Sequence, residues 1–202
     1  MFKDRKEAGK LLATKLKKYK HYHCVVLGVP RGGVPVAYEV AKELGVPLEI
    51  ILTHKLTHPV NKEYAIGGAS LHNYIIENDG QIPEEYVTKE VKRVQDRLQQ
   101  LHLKLEDHKE PENLENKVVI VVDDGMATGS TMLAAAQLIR KSNPKKIIIG
   151  VPVAPASAIE KLEKETDEVI ALKVPTLFSG VGEFYESFEQ VSDERVIKYL
   201  KM

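Results

Sequence analysis

Apolar positions along the chain fall into two rhythms that take turns. Unbroken runs rich in Val, Ile and Leu occupy residues 23–29, 48–53, 117–123, 146–153 and 168–173. Elsewhere the apolar residues step by three and four. Residues 4–19 carry Ala8, Leu11, Leu12, Leu16 and Tyr19 on one face, and 34–44, 130–141 and 156–164 repeat the pattern. Runs without polar alternation mark strands covered on both faces, and the longer step marks helices with one apolar side. Punctuation agrees: Gly32 and Gly33 follow the first run, Gly45 ends a helix, and Asn143-Pro144 ends another. Strand and helix in alternation predict a doubly wound α/β fold, with a mainly parallel five-stranded sheet and helices on both faces.

Two stretches break the rhythm. Residues 64–77 predict a β-hairpin or two short strands around His72-Asn73, and 84–105 predict a long helix with Val87, Val91, Val94, Leu98, Leu101 and Leu105 on one stripe. An amphipathic helix ordinarily covers its own core; a subunit contact, and so a homodimer, is the alternative for this stripe. Residues 106–116 read as a polar loop. The whole of 1–202 reads as one domain.

Charge narrows the class. Twenty-nine basic residues meet twenty-nine acidic ones, so the chain lacks the positive field of a general binder of nucleic acid or anionic membrane. A local anion pocket is still open to it. The single cysteine, Cys24, excludes an intrachain disulfide, suits a reducing compartment and lies in a strand as a core residue. No uncharged apolar run is long enough to span a bilayer, so neither signal peptide nor anchor is expected, and the cytoplasm is the expected location.

In open parallel sheets, ligands bind beyond the carboxyl ends of strands. The most informative such segment is VVIVVDDGMATGSTM, residues 118–132. An apolar strand delivers Asp123 and Asp124, a small-residue loop runs from Gly125 through Ala127 and Thr128 to Gly129, and a helix starts near Ser130. Small residues let backbone N–H groups converge on an anion, and the helix start adds its positive end. Thr128, Ser130 and Thr131 add hydroxyl donors, and the paired carboxylates can accept from sugar hydroxyls. A plain capped turn explains the hydroxyls but leaves two adjacent carboxylates repelling each other. Two other phosphate motifs fail on spacing: Gly125 and Gly129 enclose three residues with no lysine after them, and G-V-P-R-G-G at 28–33 is not a dinucleotide fingerprint.

These residues resemble the phosphoribosyl diphosphate (PRPP) signature of the type I phosphoribosyltransferases. The similarity runs through FKDRKEAGKLLA (2–13), VVLGVPRGGVPVAYEVAKELGVPLEI (25–50), NKEYAIGGAS (61–70) and FSGVGEFYESFEQVSDERV (178–196) to a subgroup whose acceptor is not generally assigned. The resemblance implies transfer of phosphoribose from PRPP to a nucleobase-like acceptor, with pyrophosphate released and Mg²⁺ held mainly by substrate and water. It also implies that Asp123 and Asp124 hold the ribose hydroxyls, and that Gly125 and Ala127 to Thr131 cradle the 5′-phosphate. Arg31, Gly32 and Gly33, with Lys55, then receive the pyrophosphate. A non-catalytic PRPP- or nucleotide-binding module of the same fold is the alternative.

Residues 103–117 depart from the subgroup, being acidic and free of arginine where a catalytic lid is expected, with Lys104 and Lys109 as partial substitutes. Phe178, Phe184, Tyr185 and Phe188 form either a small satellite core or a hood that stacks on the acceptor. His54 and His58 lack the helix and glutamate of a zinc motif. Glu63 falls in a matching segment, with no role assigned.

Overall fold

A computed structural model describes residues 1–61, 65–76, 82–105 and 112–202. Its elements run α1 (Arg5–Leu16), β1 (Cys24–Gly28), α2 (Gly33–Leu44), β2 (Leu48–Ile50), β3 (Thr53–Thr57), β4 (Ala65–Ser70) and β5 (Tyr74–Ile76). They continue with α3 (Glu84–Leu105), β6 (Val118–Val122), α4 (Ser130–Arg140), β7 (Lys146–Val153), α5 (Ala156–Glu163), β8 (Glu168–Lys173) and α6 (Asp193–Leu200). Glu63, Lys109 and both ends of the expected hairpin at 64 and 77 lie outside the described residues.

The main sheet is five-stranded, parallel throughout, in the order β2-β1-β6-β7-β8. Alternate residues of each strand serve opposite cores. Cys24, Val26, Val118 and Ile120 pack with Leu12, Leu16, Val36 and Val40 of α1 and α2. Val25, Leu27, Val119 and Val121 pack with Met132, Ala136, Ala158 and Leu162 of α4 and α5. This two-sided burial is why the runs are uniformly apolar.

One expected element needs correction. The run expected as one strand over 48–53 stops at Ile50, and Thr53–Thr57 forms a separate strand. There β3 pairs antiparallel with β4 and β4 with β5, so the expected hairpin, β4–β5, supplies the centre and one edge of a three-stranded sheet. The stripe of α3 covers its own core, the ordinary expectation for an amphipathic helix. Val91, Val94, Leu98 and Leu105 are buried with Val34, Leu56, Ile66 and Val196 of the same chain. Glu90 is buried as well, held by Thr57 Oγ1 at 2.9 Å and by Arg93 Nε and Nη2 at 2.8 Å each. The apolar face of α3 therefore packs on the chain's own core.

Candidate active site

Strands β1 and β6 are neighbours in register, Gly28 opposite Val122, so whatever follows them emerges side by side. After β1 comes the turn Pro30–Gly33, whose Pro30–Arg31 peptide is cis. After β6 come Asp123 and Asp124. Val29 N–H donates to Val122 O at 2.9 Å and carries the pairing one step beyond the strands.

The two glycines of the turn are required by this contact. A Cβ at Gly32 would stand 2.1 Å from Asp124 Oδ2, and one at Gly33 would stand 2.7 Å from Val122 O and 2.8 Å from Asp123 Cα. Both carboxylates thus press directly onto the turn that bears Arg31. Asp124 N–H donates to Asp123 Oδ1 at 2.8 Å, and Tyr185 O–H donates to Asp124 O at 2.6 Å.

Burial and the neighbouring charge of Asp124 push the Asp123 carboxyl well above the usual range. Asp124 is also raised by burial, although the Arg5 guanidinium opposes the shift. Arg5 Nε lies 2.7 Å from Asp124 Oδ2, with only 12% and 13% of the two side chains exposed. The Arg5 guanidinium also lies 3.8 Å over the Phe188 ring.

An open cleft of about 710 Å³ has Arg31, Gly32, Asp123 and Asp124 in its wall, with Arg5 and Arg97. Sequence reasoning missed both of the last two. Arg5 sits in the first turn of a helix that already has an amphipathic explanation, and Arg97 on the polar side of α3. Arg31 does not point free into the cleft: its Nε is 2.6 Å from Asp193 Oδ1, at the start of α6.

The small-residue loop adjoins the same strand end but not the wall of this cleft. Met126 anchors it by an N–H bond of 3.0 Å to Val153 O, while Ala127 and Thr128 are exposed. Gly129 takes the left-handed conformation (φ +70°) immediately before α4, and Thr128 Oγ1 and Ser130 Oγ are 3.2 Å apart. The first turn of α4 therefore opens beside the loop with Ser130 and Thr131 half-buried.

Lys55 lies in β3 opposite Gly68, away from the cleft wall and not in a loop after the main sheet. Neighbouring His54 is half-buried; burial and the charges of Arg97 and Arg93 lower its basicity. His58 Nδ1 accepts from Val60 and Asn61 N–H at 3.2 and 3.3 Å, a turn contact. Among the described residues no group of three His, Cys, Asp or Glu side chains is placed to hold a metal, and no helix is long and apolar enough to cross a membrane.

The C-terminal aromatics form the small satellite core, and one of them also reaches the cleft. Phe2, Ala8 and Tyr185 form a small buried cluster against Phe184 and Val181. Phe178 and Phe184 stack at 5.8 Å. Phe188 tilts on Tyr185 at 5.0 Å yet keeps 38% of its surface open, on the cleft wall.

A parallel sheet that sets an acid pair and a small-residue loop beside a Pro-Arg-Gly-Gly turn has the phosphoribosyltransferase fold, and comparison with known proteins agrees. The family described as "Phosphoribosyl transferase domain" matches residues 3–185, and the chain belongs to it. It is 35% identical to a Mycobacterium tuberculosis protein that bears a provisional phosphoribosyl transferase name, over 99% of this chain and 46% of that protein. The chain thus spans about half the length of that curated relative. The crystal structure of TT1426 from Thermus thermophilus superposes with a TM-score of 0.93 at 36% identity, covering 99% of this chain and 97% of that one. The AQ2163 protein of Aquifex aeolicus shares the fold at 13% identity (TM-score 0.52), covering 84% and 74% of the two chains.

Proposed function

We propose that this chain transfers the 5-phosphoribosyl group of PRPP to a nitrogenous, nucleobase-like acceptor and releases pyrophosphate. The observation that carries the reading is the direct packing of the Arg31 turn on the Asp123–Asp124 pair at the mouth of one cleft. Anionic and hydroxyl-bearing parts of one small ligand then meet complementary groups a few ångströms apart.

In this reading Asp123 and Asp124 accept hydrogen bonds from the ribose 2′ and 3′ hydroxyls. Gly125 and Ala127 to Thr131, with the start of α4, hold the 5′-phosphate. Arg31, Gly32 and Gly33 take the pyrophosphate. The bond from C1′ to the diphosphate oxygen breaks, the acceptor nitrogen bonds to C1′, and its proton passes to solvent. Positive charge develops on the ribose ring as pyrophosphate leaves, so rate comes from positioning and from stabilising the departing charge.

Magnesium fits the site's hard-oxygen chemistry. That ion keeps several waters and is ordinarily carried by substrate oxygens, so no protein side chain is assigned to it here; when bound it neutralises diphosphate charge.

The acidic, arginine-free 103–117 segment favours a second reading, a binding module that retains PRPP without turnover. Incubation with PRPP, Mg²⁺ and a panel of purines, pyrimidines and pyridine bases separates the two. Base-dependent pyrophosphate release that disappears in the Asp123→Asn/Asp124→Asn variant supports the transferase. Tight PRPP binding without release under any base supports the module instead.

A further inference from the structure

Asp124 is restrained from four sides. Gly32 packs beneath its Oδ2, Tyr185 O–H holds its carbonyl, its own N–H is bound to Asp123 Oδ1, and Arg5 Nε holds Oδ2 at 2.7 Å. Arg5 is the charged member of this set. It is also tied elsewhere: Nη1 donates to Glu189 O at 2.7 Å, and its guanidinium plane is supported by the Phe188 ring at 3.8 Å. One side chain from the N-terminal helix therefore links the end of β6 to the segment that carries the cleft-lining Phe188, Gln190 and Val191.

We propose that Arg5 is a positioning residue for ribose recognition, fixing Asp124 with Oδ2 turned inward and Oδ1 turned to the ligand. The proposal rests on the phosphoribosyl reading above. Each contact of Arg5 removes one freedom. The Nε bond sets the rotation of the Asp124 carboxylate, the Glu189 bond sets the direction of the guanidinium fork, and the ring holds its plane. A fork that grips two acceptors in fixed geometry is a property of arginine that lysine does not reproduce. With Oδ2 held by Arg5, the rotation of the carboxylate is fixed and its remaining acceptor sites keep one direction, and orientation is what separates a sugar hydroxyl from a hydrogen at the same carbon. Arg5 need not touch the substrate for this.

The test compares ribose 5-phosphate with its 2-deoxy and 3-deoxy analogues, by calorimetry on the wild-type chain and on Arg5→Gln and Arg5→Lys. The wild type should prefer ribose 5-phosphate over at least one analogue by about tenfold or more, as expected for a hydroxyl bound to a carboxylate. Arg5→Gln should reduce that preference at least threefold while binding of the deoxy compound stays nearly constant. A merely structural loss weakens all three ligands together. Arg5→Lys keeps the charge and much of the stem, and should fall between the two; it also serves if the glutamine variant does not fold. An unchanged preference in either folded variant overturns the proposal. Failure of the wild type to bind any of the sugar phosphates counts against the phosphoribosyl reading itself, and the proposal falls with it.

Discussion

The Nε of Arg31 lies 2.6 Å from Oδ1 of Asp193, so the arginine of the Pro30–Gly33 turn is already bound to the first residue of the last helix. The pair is partly exposed, with 44% of the arginine and 24% of the aspartate side chain open to solvent. Such a contact is weak enough for a ligand phosphate to displace. Asp193→Asn should tighten binding of pyrophosphate by about two- to fivefold, the size of an exposed ion pair, and Arg31→Ala should weaken it. Titration calorimetry with pyrophosphate reads both, and weaker binding in Asp193→Asn would rule out a competing role for the aspartate.

Gly32 and Gly33 should fail in different ways when replaced by alanine. At Gly32 the new methyl meets the Asp124 carboxylate, which has to move. PRPP affinity should therefore fall by about tenfold or more. At Gly33 it meets backbone, which cannot move so easily, and the cost should appear as about 1–3 kcal/mol of stability. Urea denaturation and PRPP titration on each variant distinguish the two.

Two carboxylates should give opposite pH signatures. Arg93 and Thr57 hold Glu90 down to about 2, against a desolvation that works the other way. Its stabilising contribution is present above the ordinary glutamate range and is lost as pH falls toward about 2. Glu90→Gln should cost about 1.5–3 kcal/mol at neutral pH, a hydrogen bond to charge being removed, and the cost should shrink in acid. Asp123 is shifted upward, so the folded chain loses stability as pH rises from the ordinary aspartate range through its raised value. Asp123→Asn should therefore melt at a higher temperature than wild type at neutral pH, and the gain should vanish near pH ~3. Thermal melts across pH check both signs.

Leu98 is buried in the core shared by α3, β3, β4 and α6. Leu98→Ala should cost about 2–5 kcal/mol and leave the sedimentation behaviour of the folded chain unchanged. A change in assembly state with little loss of stability would return the stripe to an intermolecular role.

Most of this architecture was legible because its periodicities were unambiguous. The expected bounds of β7 at 146–153, β8 at 168–173 and α3 at 84–105 coincide with those observed. Gly45, with φ +69°, caps α2 as its position suggested. The misses have physical causes. Thr53–Thr57 reads T-H-K-L-T, polar at most positions, because β3 is only partly buried and its partners come from the antiparallel sheet.

The last helix, α6, was not anticipated. Its signals were there: Ser192 caps it by accepting from Arg195 N–H at 3.3 Å, and Val196 is its buried anchor. In the candidate site, Asp123, Asp124 and Arg31 announced themselves through local pattern at strand ends. Arg5 could not, because its partner Asp124 is 119 residues away, and a lone arginine in an amphipathic helix carries no spacing that points to it. Lys55 rests on the family resemblance alone, and the strand β3 that carries it belongs to the antiparallel sheet.

Titration of the chain with PRPP and Mg²⁺, followed by calorimetry, addresses the central claim without requiring the acceptor to be known. Saturable binding is expected, lost when Asp123 and Asp124 are both replaced by asparagine in a variant that still melts cooperatively. A folded wild-type chain that takes up no PRPP, or a double variant that binds it as well as wild type, would contradict the placement of ribose and phosphates at the ends of β1 and β6.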